Sequence, residues 1–548
     1  MTIIRLRPLR GLLLAAALLS ACSQQYSTEN LKAGAQPELV ETTTDAAMAP
    51  EPVANQPVPG AADTAPARRE NYAVIHENPF LDARRNPLST FAIDVDRASY
   101  ANVRRFLLQN RQLPPPDAVR LEELVNYFPC QYPQPGSGPA SLNAEVAACP
   151  WNPAHQLVLV GVQGKDVASE NLPPANLVFL LDVSGSMNDP DKLPLLKESL
   201  RLLVRERLRP QDYVSIVVYA GAAGLVLPPT SGTERETILG ALDKLEAGGS
   251  TAGGEGLRLA YEVARQHRQP GGNNRVILAT DGDFNVGEQS DADMERLITR
   301  ERESGVFLSV LGFGQGNLQD SQMELLADKG NGNYAYIDQL GEARRVLVQQ
   351  FGGTLFTLAK DVKVQVEFNP ALVREYRLLG YENRLLAAED FNDDRKDAGE
   401  LGAGQQVTAL YEIVPTGSPT AAASPAVDPL KYQATAATYA AGSSPELLTV
   451  KLRYQEPQGS PSRLLTLPVR GARLDEPIVR ASDNLRWAAA VAQFGLLLRG
   501  SQYRGTASWA STQELTSRAT GPDADGTRAE FRQLVQQAAM LQGETAQR

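Results

Sequence analysis

The chain has 548 residues, 43% hydrophobic and 21% charged, which is ordinary for folded soluble protein and long enough for about three domains with their own cores. Its 53 Lys+Arg stand against 64 Asp+Glu, a net charge of −11. No basic excess is present to displace counterions from a phosphate backbone, so nucleic-acid binding is excluded as a main role.

Residues 1–22 read as a targeting segment. Arg5, Arg7 and Arg10 precede an apolar run from Leu12 to Leu19, and LSAC at 19–22 places small residues before Cys22. Gly11 to Ala21 falls far short of the ~20 apolar residues a membrane-spanning helix needs. The segment resembles a bacterial lipoprotein signal, with a cleaved soluble signal as the alternative. That resemblance implies cleavage before Cys22, a lipid on that cysteine and, with Ser23 next to it, outer-membrane sorting in a Gram-negative cell. Residues 23–72, rich in Ala, Pro, Thr, Gln and Glu, offer too little apolar surface to offset chain entropy and are expected to form a disordered tether.

An N-terminal α+β region is expected over 73–149. TFAIDVD reads as a strand, with Asp96 capping a helix from Arg97 to Leu108 that puts Tyr100, Val103, Phe106 and Leu107 on one face. LPPPDAVRLEELVNYF starts a second helix with Asp117 near its cap. Asp94-Val95-Asp96 is similar to the nucleophile loop of haloacid dehalogenase-like phosphatases, but Ala98 stands where Thr or Val is expected, and a capping turn is the better reading. Cys130 and Cys149 are an even pair able to close a disulfide in an oxidising compartment. Their spacing leaves a bridge and two free thiols equally open.

Residues 150–357 carry the strongest pattern. The segments 156–163, 176–182, 213–220, 275–281 and 306–313 are almost continuously apolar. Between most of them run amphipathic stripes: Leu193, Leu196, Leu200, Leu203 and Val204 in one, Leu257, Ala260, Val263 and Ala264 in another. Such alternation predicts an α/β fold, a doubly wound and mostly parallel sheet covered on both faces. Ligands of these sheets gather beyond the carboxyl ends of the strands. At that edge NLVFLLDVSGSMNDP supplies Asp182, Ser184 and Ser186, GGSTAGGEG supplies Thr251, and ILATDGD supplies Asp281. Two carboxylates and three hydroxyls are hard oxygen donors, suited to Mg²⁺ or Mn²⁺ and poorly suited to zinc or copper. Their two charges balance a dication without saturating it, so a coordination position stays open for an acidic group of a partner.

This set resembles the metal-ion-dependent adhesion site of von Willebrand factor type A (vWA) domains: Asp-x-Ser-x-Ser, a distant Thr and a distant Asp, in that order. The resemblance implies direct metal binding by Ser184, Ser186 and Thr251, and binding directly or through water by Asp182 and Asp281. Ser250 is the alternative to Thr251. The stretches STFAIDVDRASY, YENRLLAAEDFNDDRKDAGELGAG and LGFGQGNLQDSQMELLADKGNGNYAYID look like a bacterial group of vWA lipoproteins with dedicated N- and C-terminal domains, a likeness that covers most of the chain after about residue 75.

Other motifs carry less. The acidic run from Asp390 has Arg395 where a calcium loop needs Gly and Leu401 where it needs Glu, so it reads as a solvated turn. GFGQGN from Gly312 lacks the dinucleotide spacing, and no Walker lysine follows, which argues against nucleotide. The three histidines, His76, His155 and His267, read as surface residues. Over 358–480 the pattern turns to apolar–polar alternation (DVKVQVEF, VTALYEIV, LLTVKLRY, RLLTLPV), which predicts an antiparallel β region interrupted by a low-complexity excursion. Residues 481–548 form a helical tail in which Trp487, Val491, Phe494 and Leu498 share a core-facing side; Arg486 and Arg499 bound too short a run to span a membrane.

The expected function is therefore non-enzymatic: a lipid-anchored cell-envelope protein that binds Mg²⁺ and through it an acidic side chain of a protein partner. A metal-independent structural or assembly factor is the alternative. A metal-assisted hydrolase ranks below both, because no base stands beside the site.

Overall fold

Residues 176–182 lie inside a six-stranded sheet, as their unbroken apolar run requires. The structure, a computed structural model, describes residues 70–93, 96–249, 253–282, 291–350, 356–396, 398–419, 444–457, 461–471, 477–519 and 521–547. The signal with Cys22, nearly all of the tether, and Ser250 and Thr251 lie outside the described residues.

In chain order, strands β1 (Leu81–Asp82) and β2 (Leu88–Ala92) precede helices α1 (Ala98–Arg104) and α2 (Leu121–Asn126) and the strands β3 (Ala140–Cys149) and β4 (Asn152–Gly164). Then come β5 (Ala175–Asp182), α3 (Leu193–Glu206), β6 (Tyr213–Tyr219), β7 (Ala223–Ser231), α4 (Arg235–Asp243) and α5 (Gly253–Gln266). They are followed by β8 (Asn273–Thr280), α6 (Asp291–Glu303), β9 (Val306–Phe313), α7 (Asp320–Lys329), β10 (Tyr334–Ile337) and α8 (Leu340–Arg344). Strands β11 (Thr357–Phe368), β12 (Val373–Leu379), β13 (Leu385–Leu386), β14 (Gly399–Gly402), β15 (Gln406–Pro415), β16 (Glu446–Gln455) and β17 (Arg463–Arg470) come next. Helices α9 (Asp483–Arg499), α10 (Trp509–Arg518) and α11 (Thr527–Gln547) follow.

The predicted doubly wound sheet has the order β10-β9-β8-β5-β6-β7, parallel except for β7. Successive side chains of a strand point to opposite faces, and the sequence uses both. Phe179, Leu181, Ile216 and Ile277 pack with Leu196, Leu200 and Leu203 of α3; Leu180, Val217, Val276 and Leu278 pack with Leu257, Ala260 and Val263 of α5.

The segment 156–163 does not belong to this sheet. It forms the core of β4, which pairs antiparallel with β3 and β15 in the order β1-β12-β15-β4-β3. An apolar run reports burial on both faces but not which sheet supplies the burial. Here one face of β4, with Val158, Val160 and Val162, meets Val364 and Val366 of a second antiparallel sheet, β13-β2-β11-β16-β17 with β14 on β11. The other face, with Leu157 and Leu159, meets Trp487, Phe494 and Phe531 of the helical tail and Leu121 and Leu124 of α2. The N-terminal and C-terminal β segments are thus interleaved: β2 lies between β13 and β11, and β1 pairs with β12. The Trp487 helix is buried as expected, and among the described residues no helix is long and apolar enough to cross a membrane.

Two local expectations differ, and one left open is decided. Asp96 does not cap α1: its Oδ1 accepts the Tyr334 N–H at 2.7 Å, while the α1 start is satisfied by Glu123, whose Oε2 accepts the Ser99 N–H at 2.8 Å. His155 is buried, its Nδ1 2.6 Å from Glu412 Oε1. Cys130 and Cys149 are both free thiols. The Cys130 Sγ lies 3.6 Å from Thr408 Oγ1, and Thr408 pairs with Gly161 on β4, whereas Cys149 pairs with Asn152 near the other end of that strand. Nine residues of strand separate those positions by roughly 30 Å, several times the reach of a disulfide.

Candidate metal centre

The parallel register stacks three strand ends at one edge. Asp182, last in β5, lies opposite Tyr219, last in β6, and β8 ends alongside at Thr280. The Asp182 carboxylate is wholly buried. Its Oδ2 accepts from the Tyr219 hydroxyl at 3.0 Å and from Thr280 Oγ1 at 3.2 Å. Its Oδ1 accepts the Ser184 N–H at 2.9 Å, which turns the chain back over the strand end and leaves the Ser184 and Ser186 hydroxyls 3.1 Å apart.

The glycine-rich loop docks onto this turn through its backbone. Gly248 N–H donates to the Val183 carbonyl at 2.8 Å, and Gly185 N–H donates to the Gly249 carbonyl at 3.1 Å. Thr251 follows two residues later, outside the described residues.

Asp281 comes one residue after the end of β8. Next to it Gly282 has φ +106°, and a Cβ there would lie 2.6 Å from Gln319 N and 2.8 Å from the Asn317 carbonyl oxygen, so this close approach of two loops requires glycine. Asp281 Oδ2 accepts from Lys192 Nζ at 2.9 Å, and the same ammonium lies 3.4 Å from Asn317 Oδ1. The Lys192 stem runs across Gly314 (φ +73°), where a Cβ would come within 2.4–2.9 Å of its Cγ, Cδ and Cε.

The two acids are therefore unlike. Burial pushes the Asp182 carboxyl above the usual carboxylate range and the Asp281 charge adds to this, against hydrogen bonds from Ser184 and Tyr219. Burial acts the same way on Asp281, but the Lys192 ammonium, Asn317 and the Ser186 hydroxyl outweigh it and hold that carboxyl below its usual range. Among the described residues Asp182 has no ion-pair partner.

The donors fit a hard dication. Adjacent oxygens around Mg²⁺ at ~2.1 Å lie about 3 Å apart, the spacing of the two serine hydroxyls. A cation there would also neutralise the buried Asp182. Among the described residues no group of three or more His, Cys, Asp or Glu is placed to hold a metal.

Sequence reasoning missed Lys192, Tyr219, Thr280 and Asn317. Tyr219 and Thr280 had a signal, since each ends a strand at the ligand-binding edge. Lys192 stands in the polar stretch before α3, where sequence does not fix the direction of a long side chain.

Three family models match in succession. Residues 66–159 match "von Willebrand factor", 176–350 match "von Willebrand factor type A domain", and 353–541 match the C-terminal part of YfbK. The protein YfbK of Escherichia coli (strain K12) is 44% identical over 523 residues, covering 94% of this chain and 87% of that one. The chain belongs to the YfbK family. Inter-alpha-trypsin inhibitor heavy chain H3 of Homo sapiens is 30% identical over 268 residues, 45% of this chain and 29% of that one. A solved von Willebrand factor type A protein from Catenulispora acidiphila shares 16% identity at a TM-score of 0.39, over 71% of this chain and 89% of that one. In this YfbK-family chain the boundary of the C-terminal match at residue 353 does not separate folded units, because β1, β2 and β4 lie before it and pair with strands after it.

Proposed function

We propose that this YfbK-family protein is a non-enzymatic cell-envelope protein, lipid-anchored through Cys22. In this reading its vWA domain holds Mg²⁺ or Mn²⁺ through Asp182, Ser184, Ser186, Thr251 and Asp281 to engage a carboxylate of a protein partner. The observation that carries the reading is Asp182: a buried carboxylate without a cationic partner among the described residues, beside two hydroxyls at the spacing of adjacent metal ligands. The ion, when bound, supplies a Lewis-acidic position for the partner's oxygen. The chain's own residues do the positioning: Tyr219 and Thr280 orient Asp182, and Lys192 fixes Asp281.

Calorimetric titration of Mg²⁺ into the wild type and Asp182→Ala tests this. Binding by the wild type alone is expected; equal binding by both would remove the mechanism.

One observation favours a second reading. Lys192 already sets a positive charge against Asp281, which suits a domain that keeps its shape and captures its partner without metal. In that case EDTA leaves both melting temperature and partner capture from cross-linked cells unchanged, whereas the metal-dependent reading requires both to fall.

A further inference from the structure

A cavity of about 470 Å³ lies away from the metal centre, between the α3 face of the vWA sheet, the segment after α2 and the N-terminal end of β15. Its volume is in the ~300–1,000 Å³ range of small-molecule sites. Leu203, Ile277, Leu311 and Leu347 give it apolar walls, and Arg97, Arg207 and Arg345 set three guanidinium groups into the lining.

Arg345 is 8% exposed. Its guanidinium carbon lies 3.6 Å from the centre of the Tyr127 ring, and Nη2 donates to the Tyr127 carbonyl, but its buried Nε has no partner. Arg97 is held down to about 10 by burial and by the Arg345 charge. Neither makes an ion pair among the described residues. The neighbouring acids are used elsewhere or face water: Asp96 holds Tyr334 N–H and Arg384, Glu342 holds Arg104 and the Tyr127 hydroxyl, Asp525 accepts from Gln349, and Asp166 is exposed.

Two adjacent cations, Arg345 buried and Arg97 half-buried, with no ion pair among the described residues are costly, and an anion presented to them recovers that cost through charge-assisted hydrogen bonds. The apolar walls select further, since an inorganic ion would leave them wet while an apolar body would cover them. We propose that this cavity is a binding site for a small organic anion with an apolar body, its carboxylate held by Arg97 and Arg345.

The test is calorimetry on the purified full-length protein with sodium octanoate and, separately, inorganic phosphate as probes. Wild type, Arg97→Gln, and Leu203→Phe, which narrows the cavity and leaves the arginines in place, are compared, with melting temperatures as a check on folding. The proposal expects octanoate binding to the wild type, about tenfold weaker in Arg97→Gln and weakened also in Leu203→Phe, with phosphate binding more weakly than octanoate. Any other pattern overturns it, including no octanoate binding by the wild type, undiminished binding in either folded variant, or phosphate binding as tight as octanoate.

Discussion

Lys192 Nζ lies 2.9 Å from Asp281 Oδ2, with the two side chains 6% and 0% exposed, so one of the two acids of the candidate centre carries an internal counter-ion. A charge held about 4 Å from a dication repels it by several kcal/mol even at an effective dielectric of about 20. Lys192 should therefore weaken retention of the ion. Lys192→Met leaves the buried Asp281 without the ammonium, which costs about 3–5 kcal/mol in the absence of metal. Added Mg²⁺ is then expected to raise the melting temperature of the variant more than that of the wild type. Equal shifts would mean that the ammonium does not sense the ion.

Gly314 controls the same pair from the opposite loop. An alanine there meets the Lys192 stem and also has to adopt φ +73°. Gly314→Ala is expected to lose about 1–3 kcal/mol, read from urea midpoints. In a Lys192→Ala background the stem is gone, and the cost should shrink toward the backbone strain alone. Additive losses in the double variant would show that the two residues are independent.

Arg104 joins four parts of the chain. From α1 it bonds Asp338 after β10, with Nε to Oδ2 at 2.8 Å, and Glu342 of α8 at 2.8 Å. It also bonds Glu530 of α11 and the Tyr127 hydroxyl, each at 3.1 Å. Arg104→Met leaves three carboxylates facing one another, and a loss of about 3–5 kcal/mol is expected. Because the N-terminal, vWA and C-terminal segments share this one cation, the urea transition should move to lower concentration as a single step. A split transition would show that the vWA sheet unfolds apart from the rest.

The thiols give a simple check. Denaturation without reductant should expose Cys130 and Cys149 as two alkylatable groups, and reductant should leave the melting temperature unchanged; mass spectrometry of the alkylated chain reads the first.

How much of this was legible in sequence depends on how local each cause was. The stripes of α3 and α5 and the apolar runs of β5, β6, β8 and β9 are local periodicities, and they gave the doubly wound sheet with Asp182 and Asp281 at its carboxyl edge. The partners of β2 and β4 were not legible, because those partners come from β11, β13 and β15, hundreds of residues later. For the same reason Asp96 read as a helix cap: its real partner is the Tyr334 N–H at |i−j| = 238, a contact no local pattern encodes. At the candidate centre the acids and serines announced themselves by spacing. Lys192, which sets the charge on one of them, did not, since the reach of its side chain depends on the space left by Gly314 in another loop.

Glu122, in the first turn of α2, gives a pH-dependent outcome. It is buried, its Oε2 has no hydrogen-bond partner, and burial together with the charge of Glu382 raises its carboxyl from 4.5 to about 7, although Arg499 and Arg120 act in the opposite direction. The folded chain therefore keeps a proton that the unfolded chain gives up near 4.5. This group's contribution to stability is full below the unfolded value and is lost as pH rises through the folded one, a change on the order of 3 kcal/mol. Glutamine imitates the protonated acid at every pH. Glu122→Gln should thus match the wild type near pH ~5 and exceed it near pH ~8, where the wild type holds an unpaired buried charge. Urea midpoints at the two pH values measure this. If the wild type and the variant lose the same stability between them, the proton is held elsewhere in the buried acid network, with Glu123, whose carboxyl burial raises to about 8, as the next residue to replace.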